Sequence, residues 1–370
     1  MRVLVTGGAG FIGSHLVDRL LEDGHEVRVL DSLDGQVHDG PPAYLSADAE
    51  LVVGDVRDRD AVRGALEGVD RLVHLAAAVG VGQSMYEIER YTSVNAVGAA
   101  VVLEEAIAAR DRLAKLVVAS SMSIYGEGLY RCPAEGVEAE AEPRPAEQLE
   151  ARQWEPRCPS CGTELEPLPT PERKRLSPTS VYAVGKRDHE ELFLACGRAY
   201  GIPATALRFF NVYGPRQALS NPYTGVAAIF ASRLLNARPP VVFEDGLQSR
   251  DFVHVSEVAR AVAAALDTSR ADGLALNIGT GRPTTVLDVA SALAAGLEVE
   301  IEPQIRNEYR AGDIRHCFAD PSLAREELGF EAQVEFAAGM GELARWLAGQ
   351  TAEDRVEAAT SALAQRGLTG

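Results

Sequence analysis

Arg2-Val3-Leu4-Val5-Thr6-Gly7-Gly8-Ala9-Gly10-Phe11-Ile12-Gly13 runs from a short apolar segment straight into four glycines. Residues 2–6 lack the alternation of a strand with one wet face, so they read as a buried parallel strand. Beyond the turn, Ile12, Leu16 and Leu20 share one face of a helix. Strand, glycine turn and helix in that order form the setting a dinucleotide fingerprint requires. The glycines let backbone approach a pyrophosphate, whose charge rests on the helix N-terminus. Gly7, Gly10, Phe11, Ile12 and Gly13 are therefore candidate cofactor contacts. Val27-Arg28-Val29-Leu30-Asp31 supplies a second strand, ending in an acid 18 residues after Gly13. Asp31 would accept from a ribose hydroxyl and repel a 2′-phosphate, which favours NAD over NADP. A plain strand–turn–helix unit with a surface Asp is the alternative.

Working outward, more parallel strands are expected at 51–55, 71–75 and 116–120, with helical stretches at 58–67 and 94–110 between them. This alternation predicts an α/β fold with a doubly wound sheet and ligands at the carboxyl ends of its strands. Asp55-Val56 and Ala76-Ala77 lie at such ends, and Asn95 is read as starting a later helix.

Composition narrows the partners. The 370 residues suffice for about two domains, and 46% apolar with 24% charged residues is ordinary for a globular protein. A net charge of −18 argues against nucleic acid or an anionic membrane as partner. No apolar run approaches the ~20 residues that span a bilayer. With no recognisable signal peptide and five cysteines, a cytoplasmic location is expected.

Chemistry is suggested by Ser177-Pro178-Thr179-Ser180-Val181-Tyr182-Ala183-Val184-Gly185-Lys186. Pro178 suits a first helical turn, with Ser177 or Thr179 as cap. Tyr182 and Lys186, four apart, would project from one face. An ammonium beside a phenol lowers the phenol pKa, making a base usable near neutrality. By itself this spacing also fits an amphipathic helix with an interfacial Tyr and a solvated Lys.

Taken together, Thr6–Gly13, Asp55-Val56, Leu75-Ala76-Ala77, Ser120-Ser121, Tyr182 with Lys186 and Arg208-Phe209-Phe210-Asn211 resemble the extended short-chain dehydrogenase/reductase family, in its nucleotide-sugar epimerase/dehydratase branch. The resemblance covers about residues 1–347, apart from one insertion. It implies a Rossmann-type doubly wound parallel sheet with a smaller mixed α/β substrate-binding domain. The expected division is 1–210 for NAD, interrupted by the insertion at 127–176; 211–250 and 281–347 for substrate; 251–280 returning to the NAD domain; and a C-terminal tail at 348–370. NAD contacts are expected from Leu75, Asn95 and Ser120 as well as the positions above. Ser121, Tyr182 and Lys186 become the catalytic set. Asn211 and the segment with Val242 and Phe243 are expected at the sugar nucleotide. Arg250, Arg310 and Asp313 match segments whose arginines clamp the diphosphate, a task suited to the planar guanidinium fork. Cys317 falls where related 4-epimerases carry a residue that gates substrate size, and a small residue there implies a roomy pocket.

Two positions narrow the reaction. Where 4,6-dehydratases of this branch carry Asp and Glu, this chain has Met122 and Ser123. Simple epimerisation at carbon 4 of a nucleoside-diphosphate sugar is left, through a transient 4-keto intermediate. The resemblance points to a UDP-hexose or a dTDP-6-deoxyhexose such as dTDP-L-rhamnose, and to a homodimer. The rivals are a nucleotide-sugar reductase or dehydrogenase, a 4,6-dehydratase, and a dinucleotide-sensing protein without catalysis.

The insertion is rich in Glu and Pro and reads as a loop with little core. It contains Cys158-Pro159-Ser160-Cys161-Gly162, a turn suited to a tetrahedral zinc site, and Cys132-Pro133-Ala134-Glu135-Gly136, of the same shape with Glu135 in place of a fourth thiolate. Structural zinc on Cys132, Cys158, Cys161 and Glu135 is weighed against free thiols. Residues 350–370 read as an acidic, Ala-rich helix or a frayed tail.

Overall fold

The computed structural model describes residues 1–223, 225–310 and 312–369. Strands β1 (Arg2–Thr6), β2 (Glu26–Asp31), β3 (Glu50–Val53), β4 (Arg71–His74) and β5 (Lys115–Ser121) join Ala204–Phe209 and Ala275–Ile278 in one seven-stranded sheet. Its order is Ala275–Ile278, Ala204–Phe209, β5, β4, β1, β2, β3, and every pairing is parallel. The winding reverses between β1 and β4, which opens a crevice at the carboxyl ends. The apolar run of β1 serves both faces. Val3 and Val5 pack with Leu16, Leu20, Val258 and Val262 on one side, while Leu4 packs with Leu72, Val102 and Phe193 on the other. That double burial is why the strand shows no in–out alternation.

The smaller region is built on Ser249–His254, which pairs with Asn211–Tyr213 and His316–Cys317 in parallel and with Pro283–Thr285 antiparallel. The expected boundary at 250/251 falls inside this strand. Helices Val226–Leu235, Val286–Gly296 and Phe336–Leu347 cover it around Phe230, Leu293 and Leu343. Helix Val255–Asp267 then returns the chain to the large sheet, packing along helix Phe11–Glu22.

One segment differs from the sequence reading, and in a second the structure decides between two. The insertion folds into a three-stranded antiparallel sheet of Val137–Glu140, Leu129–Cys132 and Glu166–Leu168, with Leu129–Cys132 central. Backbone pairing, and not apolar content, orders a stretch whose composition suggested a loop. Of the two readings of the C-terminal segment, helix or frayed tail, the structure shows the helix. Helix Val356–Ala364 lies on the body of the protein with Ala359 and Leu363 buried. Val356, Ala359, Thr360 and Leu363 share one helix face, a spacing that is visible in the sequence. Among the described residues, no helix is long and apolar enough to cross a membrane.

Candidate active site

A cavity of about 710 Å³ opens at the carboxyl ends of β1, β2, β4 and β5. Gly7, Gly10, Phe11, Ile12 and Gly13 form its floor. Gly7 has φ +70°, and a Cβ there would lie 2.8 Å from the Ala76 amide nitrogen. A Cβ on Gly13 would lie 2.2 Å from the Gly7 carbonyl oxygen. Helix Phe11–Glu22 has no side-chain cap at Gly10 and no acid in its first turn, which leaves its first amides for an anion. Asp31 accepts from the Ala9 amide at 3.0 Å and the Leu33 amide at 2.9 Å, keeping further lone pairs toward the cavity. Asp55, Val56, Leu75, Ala76 and Ala77 line the same end. Arg57, through hydrogen bonds and charge, holds the Asp55 carboxyl below its usual range. These residues fit a dinucleotide: bare helix amides for its pyrophosphate, a carboxylate for a ribose, and no room for a Cβ where backbone must approach.

The catalytic candidates come from two elements. Ser180, and not Ser177 or Thr179, caps helix Val181–Tyr200, accepting from the Ala183 amide at 3.1 Å. Extended backbone at Ser180 starts the helix three residues later than the Ser177 reading, so Pro178 precedes it. Tyr182 and Lys186 project from its first turns, and Ser121 ends β5; all three line the cavity. Burial pushes the Tyr182 phenol up to about 12, against which a hydrogen bond from Ser121 acts. Burial pulls Lys186 down to about 7, and its ammonium donates to the Ala119 carbonyl at 3.1 Å. The sequence reading had Lys186 lowering the Tyr182 pKa; here the opposing influence comes from Ser121. Ser123 donates to the Ser121 hydroxyl at 3.0 Å, extending a hydroxyl chain toward Tyr182. The Ser84 hydroxyl, which the sequence did not mark, accepts from the Tyr182 amide at 3.1 Å.

Two expected cofactor contacts act from behind. Asn95 is fully buried and clamps the Ala78 backbone, accepting from its amide at 2.8 Å and donating to its carbonyl at 3.1 Å. It sits inside a π-helical turn, Ser93–Val97, between helices Ile88–Thr92 and Gly98–Ala108, so it does not start a helix. Ser120 lines the cavity, but its hydroxyl donates to Glu190 at 2.8 Å, within a buried network containing Arg208 and Tyr125.

Across the cavity, the buried side-chain oxygen of Asn211 has no hydrogen-bond partner among the described residues, which suits it to accept from a ligand. Arg310 lies over the Phe243 ring at 4.8 Å and donates to Asp313 at 2.8 Å. Arg250 is caged by the carbonyls of Ser249, Ile314 and Arg315, 3.6 Å from Asp313. Strand alternation turns Val241 and Phe243 to the cavity and Val242 into the core beneath, against the expectation for Val242. Cys317 also lies outside the lining. It is buried with Met122, Tyr125 and Phe210, its sulfur 3.9 Å from the Thr170 hydroxyl. Pairing of His316–Cys317 with Ser249–Arg250 fixes that side chain under the wall, so it gates nothing directly. The wall is completed by Val356, Ala359, Thr360, Leu363 and Leu368 of the C-terminal segment.

Apart from this cavity, the ligand atoms of Cys132, Glu135, Cys158 and Cys161 lie within 4.8 Å of one another.

A glycine cradle and a Ser–Tyr–Lys set on a doubly wound sheet define a short-chain dehydrogenase/reductase. The chain belongs to the NAD-dependent epimerase/dehydratase family, which it matches over residues 3–150 and 161–279. It is 37% identical over 357 residues to the dTDP-L-rhamnose 4-epimerase of Burkholderia thailandensis, taking in 94% of this chain and 95% of that one. Among solved structures it is similar to the UDP-glucose 4-epimerase of Thermotoga maritima with UDP-glucose, at 31% identity and a TM-score of 0.77, covering 94% of this chain and 99% of that one. The Thermus thermophilus UDP-glucose 4-epimerase complexed with NAD follows at 30% identity and a TM-score of 0.75, covering 95% and 100%.

Proposed function

We propose that this chain is an NAD-dependent epimerase acting at carbon 4 of a nucleoside-diphosphate sugar. The observation that carries the reading is the convergence of Ser121, Tyr182 and Lys186 on one cavity with the glycine cradle at one end and Asn211, Arg250 and Arg310 at the other. Residues 1–210 with 251–280, apart from the insertion, are assigned to NAD, and 211–250 with 281–347 to the sugar nucleotide. The glycine turn, Asp31, Asp55-Val56 and Leu75–Ala77 hold the cofactor, with Asn95 and Ser120 supporting them from behind.

With NAD held in the glycine cradle, its nicotinamide would supply the hydride acceptor and donor for carbon 4, and the 4-keto sugar would turn over between the two transfers. Tyr182 takes the proton of the 4-hydroxyl and gives it back. Ser121 aligns that oxygen and donates toward the phenolate. Lys186 holds the nicotinamide ribose, and its charge when protonated favours the phenolate. Arg250 and Arg310 hold the diphosphate, ordered by Asp313, while Asn211 and Phe243 contact the nucleotide sugar. Met122 and Ser123 carry no carboxyl for the acid–base work of water loss, which argues against dehydration.

The likeness to the Burkholderia thailandensis enzyme favours a dTDP-6-deoxyhexose, dTDP-L-rhamnose among them; the Thermotoga and Thermus enzymes support UDP-hexoses as the second candidates. A homodimer is supported by exposed Ile88, Val97 and Val184 on neighbouring helical turns. Five unpaired cysteines favour the cytoplasm, and the insertion is read as holding one structural zinc ion.

The test is incubation with NAD and a panel of 4-epimeric UDP- and dTDP-sugars, followed by NMR. Interconversion of one pair, with no net absorbance change at 340 nm, is the expected result. Failure with every pair refutes the reading. Tyr182→Phe should retain NAD and lose activity by roughly 10²- to 10⁴-fold.

A further inference from the structure

The two cysteine turns of the insertion are built alike. The Gly136 amide donates to the Cys132 carbonyl at 2.8 Å, and the Gly162 amide to the Cys158 carbonyl at 2.8 Å. Both glycines have positive φ, +70° and +75°. Each turn thereby aims its first and fourth side chains at one point: Cys132 with Glu135, and Cys158 with Cys161. The sulfurs of Cys132 and Cys161 stand 3.5 Å apart. That is far beyond the ~2.05 Å of a disulfide. It is close to the ~3.8 Å between two sulfurs each ~2.3 Å from a tetrahedral zinc ion.

The packing around the turns suits such a cross-link. The buried cluster of the insertion is Tyr130, Cys132, Cys158 and Leu165, so half of it is the ligand set itself. A core this small is stabilised in other small modules by a metal. Three thiolates exclude magnesium and calcium, which take oxygen ligands, and suit zinc.

Three residues before Cys158, the insertion delivers Glu155 to Arg315 and His316, which follow the cavity-lining residues Asp313 and Ile314 in the chain. Its carboxylate accepts from Arg315 at 2.5 and 2.9 Å and lies 2.9 Å from the His316 ring nitrogen. The carbonyls of Ile314 and Arg315 in that same segment cage Arg250. Arg144, also from the insertion, donates to the Asp313 carbonyl at 2.9 Å.

We propose that Cys132, Cys158, Cys161 and Glu135 bind one zinc ion, and that this ion holds Glu155 and Arg144 as the brace behind Arg250 and Asp313. The site is remote from hydride transfer; it sets how firmly the diphosphate-binding wall stands. The brace rests on the reading of that wall as the sugar-nucleotide site, whereas the metal site does not.

The experiment measures metal by plasma mass spectrometry, NAD by release on denaturation, and UDP and dTDP affinity by calorimetry, all on the full chain. One zinc per chain is expected in the parent protein and in Glu155→Ala. Cys161→Ser, whose parent side chain is exposed, should retain less than about 0.2 zinc per chain. Both variants, and parent protein stripped with a chelator, should bind UDP and dTDP roughly 2- to 30-fold more weakly with NAD content unchanged. A parent protein without zinc, or Cys161→Ser that keeps it, overturns the metal site. Parental affinity in the zinc-free protein overturns the brace. A parent that binds neither UDP nor dTDP overturns the sugar-nucleotide reading and the brace with it, while zinc content still decides the metal site.

Discussion

Gly13→Ala puts the glycine cradle to its most direct test. A Cβ at residue 13 would sit 2.2 Å from the Gly7 carbonyl oxygen and 2.6 Å from the Gly8 Cα, both backbone atoms with no rotamer to escape into. The first approach is more than ~1 Å inside ordinary van der Waals contact. Gly7 has no room to yield, because its own Cβ position lies 2.8 Å from the Ala76 amide nitrogen. The helix start and the turn must therefore separate. Overpacking of this kind costs about 1–3 kcal/mol of stability. It also displaces amides that would face the pyrophosphate. Losing one hydrogen bond to a charged group, about 1.5–3 kcal/mol, weakens NAD roughly 10- to 150-fold. The assay is NAD titration by calorimetry beside urea unfolding. Gly64→Ala is the control: it lies within helix Arg59–Leu66, meets nothing within 4 Å, and should gain about 0.5–1 kcal/mol without altering NAD affinity. If Gly13→Ala binds NAD within about threefold of the parent, the cradle argument is wrong.

Other outcomes follow from the same geometry. Glu190→Ala leaves Arg208 buried without its carboxylate partner and should cost about 3–5 kcal/mol in urea unfolding, whereas the double change Glu190→Ala, Arg208→Met should recover much of it. Leu363→Asp, at the cavity wall formed by the C-terminal helix, should raise KM for the sugar nucleotide roughly tenfold, the worth of about 1.5 kcal/mol of apolar contact, with NAD content unchanged. Hydrogen bonds and charge from His316 and Arg315 outweigh burial and hold the Glu155 carboxyl down to about 2, from an ordinary 4.5. Its contribution to stability is then complete above pH 4.5 and is lost as pH falls toward 2. Urea midpoints measured between pH 5 and 3 should fall less steeply in Glu155→Gln than in the parent.

How far the sequence reached is clearest at particular residues. The strand–glycine–helix opening was legible because its chemistry is local: a turn that excludes Cβ atoms can be read from spacing alone. Tyr182 and Lys186 were legible as a pair for the same reason, one helix face. Where they point was not. The cavity lowers Lys186 and raises Tyr182 through burial, and burial belongs to the whole molecule. The C-terminal helix was legible as one of two readings, but its place at the cavity was not, because a short amphipathic helix does not declare what its apolar face from Val356 to Leu363 covers.

The sequence by itself determined the parallel sheet, the glycine cradle, the helix face that carries Tyr182 and Lys186, and the two cysteine turns, all patterns set within a few residues of one another. Only the tertiary structure decided which side of Val241–Phe243 meets the cavity, that Cys317 and Asn95 stand behind it, and that residues 356–368 close it. It also decided that Glu155 of the insertion stands behind Arg250. Those outcomes depend on strand register and on contacts between segments far apart in the chain, here 155 with 315 and 121 with 182. A side chain's neighbours across such distances are set by how the sheets and helices pack, and no local spacing encodes them.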